Sequence, residues 1–259
     1  MNDRLSFYRK RNSPVHALNP FTKLILVSAL IFYGLTAKGF WTATLMVAFV
    51  LLPLALASKL LKEYVGVALK VILPTAGFMF VMQSVFIPGG TTEIFRLGFI
   101  SVELETVQRS YLIASRIFLF ISAFVLLLLT THPSELMSDL TRRGLPPQFA
   151  YVIISTLQII PQMQAKAQTI IAAQRSRGLD TESSFFKRAG LLVPLVGPLV
   201  FGSLVEVEER AIAIEARGFT STRTKTFLHD IPDTPADKFI RWTLTLFIII
   251  SLAARLWLS

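Results

Sequence analysis

The sequence contains no cysteine, so disulfide bonds, thiolate chemistry and cysteine-based metal sites are excluded. Histidine is also scarce: His16, His132 and His229 lie far apart, and no HExxH or comparable ligand spacing occurs. A GxxxxGK[ST] phosphate-binding loop is missing, so we do not expect this chain to hydrolyse ATP by itself. Charged residues make up 16% of the chain, against roughly 25% in typical soluble domains.

Apolar residues dominate the composition. They make up 53% of the 259 residues, and the mean hydropathy is +0.60. The chain carries 26 Lys and Arg against 16 Asp and Glu. In so apolar a chain, this excess favours basic loops on one side of a membrane over nucleic-acid binding. Residues 1–23 are basic without an apolar core, so we do not expect a cleavable signal peptide there.

The apolar residues fall into blocks that predict an all-α, polytopic membrane protein with about five transmembrane helices. The predicted spans are residues 24–37, 40–57, 65–87, 111–131 and 242–258. Asn19 is predicted to cap the first helix, and Pro20 to lie in its first turn. The first two spans are predicted to form a tight helical hairpin. Pro88-Gly89-Gly90 breaks the chain, and residues 91–109 are expected to form a polar loop or interfacial segment.

The distribution of Lys and Arg sets the predicted orientation. With the N-terminus in the cytoplasm, twenty of these residues fall on the inside and four on the outside. The C-terminus then lies outside. Lys70 and Arg116 fall within predicted spans, where we expect their long side chains to reach the interface.

The segment between the fourth and last spans is unusually long and basic. It divides the chain into membrane helices (1–131), a partly embedded cytoplasmic domain of coupling helices (132–238) and a C-terminal membrane helix (239–259). The domain is predicted to contain a short helix ending near Arg142 and two long helices. The apolar halves of the long helices, 149–160 and 191–205, are short for spans and read as semi-embedded, although seven crossings stay possible.

Two matching stretches, residues 173–179 (AQRSRGL) and 213–219 (AIEARGF), end the two long helices. Glycine after a helix permits a left-handed C-cap, and arginine in the last turn complements the helix dipole. One such ending is an ordinary helix stop, whereas two matched copies suggest a partner with two equivalent sites. A small residue allows close approach, and the guanidinium offers a fixed fork of donors. The predicted docking residues are Ser176, Arg177, Gly178, Ala216, Arg217 and Gly218.

The pair of Ser-Arg-Gly and Ala-Arg-Gly endings resembles the T component of energy-coupling factor (ECF) transporters. Leu18-Asn19-Pro20-Phe21-Thr22-Lys23-Leu24 is similar to that family's Leu-Asp-Pro-Arg-x-Lys-Leu opening, with Asn19 in place of the more frequent Asp. Residues 143–147 (RGLPP) are similar to its Leu-Gly-Leu-Pro turn. The resemblance covers the chain from about residue 13 to its end.

The resemblance implies a coupling subunit in the plasma membrane of a prokaryote, and not an enzyme. It would bridge two ABC-type ATPases, one at Arg177 and one at Arg217, to a small membrane substrate-binding subunit. ATP and Mg would belong to the ATPases, and no cofactor is expected in this chain. Closing of the ATPase dimer would move the two long helices and reorient the substrate subunit. The cargo would be a vitamin, a vitamin precursor or a transition-metal ion, selected by the substrate subunit.

Two other classes compete with this reading. A self-contained channel or secondary transporter usually has broken helices or charges at mid-membrane with internal symmetry, whereas the repeat here is cytoplasmic. A membrane enzyme needs polar chemistry, and the acidic cluster of Glu206, Glu208 and Glu209 beside Arg210 reads as a solvated or partner-facing surface. A nucleic-acid binder is disfavoured because its basic residues would need a soluble scaffold.

Overall fold

The computed structural model describes residues 8–9, 11–37, 39–87, 89–97, 100–178, 185–219, 221, 226–227 and 231–257. The chain forms two compact units. The first consists of Met1–Gly144 together with Ile231–Ser259, and the second of Leu145–Asp230. The boundaries predicted at residues 131 and 238 divide the chain by membrane topology rather than by compactness, and they stay a prediction.

The described elements are helices, apart from one small hairpin, as expected for an all-α membrane protein. In the first unit they are α1 (Pro14–Ala17), α2 (Pro20–Thr36), α3 (Thr42–Ala57), α4 (Leu61–Phe86), β1 (Glu93–Leu97), β2 (Ile100–Glu103), α5 (Leu104–Thr130), α6 (Pro133–Arg142) and α9 (Pro235–Trp257). In the second they are α7 (Pro147–Ser176) and α8 (Phe185–Ala216). By length and composition, α4 and α5 are long and apolar enough to cross a membrane, and α2 and α3 are shorter apolar helices.

Proline shapes both α3 and α4. Each helix contains a wide turn of π type, Val47–Leu51 in α3 and Ala68–Ile72 in α4, two residues before a proline. Pro53 and Pro74 cannot donate a backbone hydrogen bond, and their rings clash with the carbonyl four residues earlier. The wider turn relieves this conflict and lets each helix continue.

The apolar core of the first unit lies where α2, α3 and the start of α4 pack against α5. Leu51, Leu60 and Leu119 are fully buried there. Gly34 of α2 lies against the side chains of α5: a Cβ atom at this position would be 2.8 Å from Phe120 Cε1 and 3.0 Å from Leu119 Cδ2. Glycine therefore allows α2 and α5 to approach more closely than any other residue would permit.

A polar anchor, which we define as Asn19, Asp139 and Asp237, joins α2 to α6 and α9. Asn19 caps α2 by accepting a hydrogen bond from the Phe21 N–H (2.9 Å), as predicted. Its side-chain amide donates to Asp139 (3.3 Å), and its backbone N–H donates to Asp237 (3.0 Å). All three residues are buried, so these polar contacts fix the relative positions of three helices.

Lys23, four residues after the anchor, ties α2 to two further helices. Its ammonium donates to the carbonyls of His16 (3.2 Å) and Thr130 (3.0 Å) and is buried. These carbonyls belong to the last turns of α1 and α5, where helix dipoles favour a positive charge. The Asn-Pro-Phe-Thr-Lys opening thus organises one end of the unit.

The segment predicted as a polar loop, residues 91–109, differs from that expectation. It contains the antiparallel hairpin β1–β2, and α5 starts seven residues before the predicted span. Glu103 holds the turn that precedes the hairpin. Its carboxylate accepts hydrogen bonds from the backbone N–H groups of Gly89 (2.8 Å) and Gly90 and from the Thr106 hydroxyl (3.2 Å).

Candidate docking site on the two long helices

The second unit carries the predicted docking residues at the ends of α7 and α8. Pro147 occupies the first turn of α7. Proline is tolerated there because a backbone N–H at this position would have no acceptor within the helix. α7 then continues through Pro161 for 30 residues, and α8 spans 32. Both helices therefore persist past their apolar halves into polar sequence, as predicted.

The helix endings adopt the predicted geometry. Gly178 and Gly218 have φ angles of +87° and +68°, the left-handed region that favours glycine. The Gly178 N–H donates to the Arg175 carbonyl (3.0 Å), and the Gly218 N–H to the Glu215 carbonyl (2.9 Å). The predicted left-handed C-caps are therefore confirmed in both motifs.

A further hydrogen bond completes the ending of α8. The Phe219 N–H donates to the Ile214 carbonyl (3.2 Å), five positions earlier. Together with the Gly218 bond this forms a Schellman motif, which satisfies two carbonyls that would otherwise lack partners. The Phe219 ring lies 5.5 Å from the Tyr151 ring near the start of α7.

The side chains at both endings face solvent. Ser176 and Arg177 at the end of α7, and Ala216 and Arg217 at the end of α8, are all exposed. Within the described part of the chain, neither Arg177 nor Arg217 has a hydrogen-bond or ion-pair partner. Each guanidinium therefore retains its full fork of donors for a carboxylate or a set of carbonyls on another molecule.

The contacts between α7 and α8 define an antiparallel pair. The Tyr151–Phe219 contact brings the start of α7 to the end of α8. Farther along α7, the Ser203 hydroxyl approaches the Met163 sulfur (3.4 Å), and Lys166 forms an ion pair with Glu206. Sequence reasoning did not identify these contacts, because hydrophobic periodicity specifies a helix face but not its partner.

The two arginines are consequently not brought together. Arg217 lies near the start of α7, whereas Arg177 follows the end of α7, 26 positions beyond Tyr151. At about 1.5 Å per residue, the two endings are separated by roughly 40 Å along the helix axis. The arrangement leaves room for two partner molecules, or for two sites of one dimer, at opposite ends of the helical pair.

A groove of about 360 Å³ lies between the two helices. Its lining is largely apolar, with Val152, Ile159 and Val207 among the residues that form it. Glu206 and Arg210 belong to the same groove. Part of the acidic cluster noted in the sequence thus faces α7, since Glu206 pairs with Lys166.

Comparison with known proteins gives a consistent result over most of the chain. The family model described as "Cobalt transport protein" (CbiQ) matches residues 11–227. A protein of Leuconostoc gelidum subsp. gasicomitatum is 30% identical over 256 residues, which cover 95% of each chain. A protein of Brevibacillus brevis is 31% identical over 261 residues, covering 96% of this chain and 97% of the relative.

A third relative, from Limosilactobacillus fermentum, is 30% identical over 237 residues and covers 87% of this chain and 88% of its own. All three relatives bear the name energy-coupling factor transporter transmembrane protein. The resemblance drawn from the twin arginine motifs and the Asn-Pro-Phe-Thr-Lys opening is thus confirmed. The chain belongs to the CbiQ cobalt transport protein family, among the transmembrane components of energy-coupling factor transporters, and is a membrane subunit of a transporter rather than an enzyme.

Proposed function

We propose that this chain couples a pair of ABC-type ATPases to a small substrate-binding membrane subunit, with Arg177 docking one ATPase and Arg217 the other. The observation that carries this proposal is the pair of matched, exposed Arg-Gly endings at opposite ends of the α7–α8 pair. Two equivalent endings fit a partner that is itself a dimer.

The local chemistry supports a protein partner at each ending. The left-handed glycine stops the helix at once, so the arginine is held at an exposed tip. Ser176 and Ala216 are small and exposed, which allows a partner surface to reach the helix end. An acidic groove in an ATPase could then receive each guanidinium through two parallel hydrogen bonds.

The helical pair could transmit motion because its two helices are tied together. The Lys166–Glu206 ion pair and the Met163–Ser203 contact join α7 and α8 between their docking ends. When the two ATPases close around ATP, a displacement at either ending would therefore move both helices. Exposed apolar residues on their other halves, Val152, Leu157, Val200 and Leu204, would pack against the substrate-binding subunit.

The proposed topology places the docking endings beside the ATPases. α2, α3, α4, α5 and α9 would cross the plasma membrane, with the N-terminus in the cytoplasm. The excess of Lys and Arg in the predicted cytoplasmic segments supports this orientation. ATP and Mg would bind to the ATPase subunits, and the substrate subunit would select a vitamin, a vitamin precursor or a transition-metal ion.

Co-purification tests the proposal directly. The tagged chain is expressed with the products of its neighbouring genes, extracted in a mild detergent and weighed by native mass spectrometry. We expect a complex with two ATPases and one small membrane subunit. The double variant Arg177→Glu with Arg217→Glu should insert normally but lose both ATPases, because each carboxylate would repel an acidic site.

Lys62→Glu is the matched control, since it reverses an exposed charge on the same predicted side of the membrane. It should retain both ATPases. Each single arginine variant should retain a weakened complex. A double variant that still binds two ATPases and transports normally would remove Arg177 and Arg217 from the docking site.

A further inference from the structure

A cleft of about 480 Å³ opens in the first unit where α2, α9 and the end of α6 meet. Its lining includes none of the six predicted docking residues. Phe21, Ile25, Arg143, Asp233, Lys238, Arg241, Trp242 and Thr245 line it. Three of these residues are cations and one is a carboxylate, so the lining carries a net positive charge.

Two of the cations are held in fixed positions. Arg241 donates two hydrogen bonds to the Asp233 carboxylate (2.8 and 2.9 Å) and a third to the Thr22 hydroxyl (3.1 Å). The Arg143 guanidinium lies 4.3 Å from the centre of the Phe21 ring and 3.6 Å from Asp233. Arg143 also pairs with the buried Asp139 (2.9 Å), which offsets part of the charge.

Lys238 is different. Its side chain is exposed, and its ammonium has no hydrogen-bond or ion-pair partner among the residues that the structure describes. Asp233, the carboxylate that lines the cleft, is already engaged by Arg241 at both oxygens. Lys238 acts on Asp233 only through its charge, without a hydrogen bond or an ion pair. The cleft therefore presents one cation without a direct partner beside two immobilised ones, an arrangement that favours an anion with several acceptor oxygens.

The other wall of the cleft is apolar and exposed. Trp242, at 77% exposure, follows directly after Arg241, and Phe239 is 73% exposed on the same helix. Tryptophan at the start of an apolar helix is typical of the boundary between headgroups and acyl chains. The cleft thus combines cations from α9 and the end of α6 with an aromatic side chain of α9, a combination that suits the headgroup region of a membrane.

We propose that this cleft binds the headgroup of an anionic phospholipid. Lys238 would contact the phosphate as a mobile cation, Arg143 and Arg241 would supply fixed positive charge, and Trp242 would pack beside the glycerol region. The assignment of the cleft to the cytoplasmic leaflet rests on the proposed topology. The preference for an anionic lipid does not rest on that topology. An experiment can therefore refute the lipid preference without refuting the topology, and the reverse.

The fluorescence of Trp242 offers a direct test. The chain has three tryptophans, so Trp41→Phe and Trp257→Phe leave Trp242 as the single reporter. The full chain is reconstituted, without ATPases, in phosphatidylcholine vesicles that contain brominated phosphatidylglycerol or brominated phosphatidylcholine at equal mole fraction. We expect phosphatidylglycerol to occupy the quenching site with about fivefold higher affinity, as one lysine near a surface contributes.

Lys238→Gln should remove most of this preference without disturbing the Arg241–Asp233 pair. Lys62→Gln, the matched control, should leave it unchanged. Equal quenching by brominated phosphatidylcholine in all variants checks that each is folded. Equal affinity for the two lipids, or a preference that Lys238→Gln leaves intact, would overturn the proposal. So would a preference abolished by sodium phosphate but not by sodium chloride of equal ionic strength, since the site would then take free phosphate.

Discussion

At the scale of single residues, Asn19 occupies a position where a carboxylate would be costly. Its amide donates to Asp139 at 3.3 Å, and Asp237 accepts from its backbone N–H. An aspartate would still cap α2, but it would bring a third buried carboxylate into the polar anchor. The family's opening more often has aspartate here, and this chain also has Phe21 where that opening has arginine. Arg143, stacked over the Phe21 ring, supplies a cation at this place instead.

We therefore expect Asn19→Asp to lower the free energy of unfolding by about 1–3 kcal/mol, despite the preserved cap. The measurement is the thermal unfolding midpoint of the purified chain in detergent. The exchanged pair Asn19→Asp with Asp139→Asn restores one amide facing one carboxylate and should recover part of the loss. An Asn19→Asp variant as stable as the parent would contradict this account of the anchor.

Glu103 gives the protein a dependence on pH at the hairpin. Hydrogen bonds from the Gly89 and Gly90 N–H groups are the main cause that lowers the pKa of its carboxyl group. A carboxyl group with a lowered folded-state pKa contributes stability that is fully present above its unfolded pKa, about 4.3. This stability is lost as the pH falls through the lower, folded value.

Hydrogen exchange of the Gly89 and Gly90 amides, corrected for the intrinsic rate, should measure this effect. We expect strong protection at neutral pH that persists to about pH 4 and declines in more acid solution. Glu103→Gln should exchange quickly at every pH, because the charged acceptor is gone. Glu63→Gln, which changes a carboxylate elsewhere, should behave like the parent. Protection that is unaffected by Glu103→Gln would show that other contacts hold the turn.

At the scale of helices, Gly34 sets the distance between α2 and α5. Gly34→Ala would place a methyl group within 2.8 Å of the Phe120 ring, so the helices must separate or the ring must move. We expect a loss of about 1–3 kcal/mol in the free energy of unfolding, measured by thermal denaturation. Adding Phe120→Leu removes the ring atoms and should restore part of the stability. Additive losses in the double variant would argue against this contact.

The helices also show which features the sequence could predict. The ends of α6, α7 and α8 were predictable because each precedes a glycine that adopts positive φ. The wide turns before Pro53 and Pro74 were not predicted, since an apolar run that contains proline reads as one continuous span. The β1–β2 hairpin was missed because its order depends on contacts from Glu103 to a preceding turn rather than on local alternation.

At the scale of the whole molecule, the sequence predicts which residues are candidates for docking but not how they are arranged. Ser176, Arg177 and Gly178 and their counterparts Ala216, Arg217 and Gly218 follow from a repeated motif. Their placement at opposite ends of an antiparallel pair depends on side-chain contacts such as Tyr151 with Phe219. The polar anchor is likewise non-local, since Asn19 and Asp237 are distant in sequence but hydrogen-bonded.

The antiparallel pair predicts a measurable response to ATP. The cysteine-free chain allows spin labels to be placed only at Ser176→Cys and Ala216→Cys. In the assembled transporter, we expect a separation of about 40 Å from the helical rise. Under the proposed coupling, binding of ATP with hydrolysis blocked should shorten it, because the ATPases would close and draw the two endings together. A distance that stays constant while the ATPases close would contradict transmission through α7 and α8.

Cross-linking from the same two positions shows which proteins the two helix endings contact. The assembled transporter carries a photoreactive label at Ser176→Cys, at Ala216→Cys or, as a control, at Lys62→Cys, and the linked partners are identified by mass spectrometry. We predict that each of the first two positions links to an ATPase subunit and that the control does not. Links from both positions only to another copy of this chain, or to lipid, would contradict the assignment of Arg177 and Arg217 to ATPase docking.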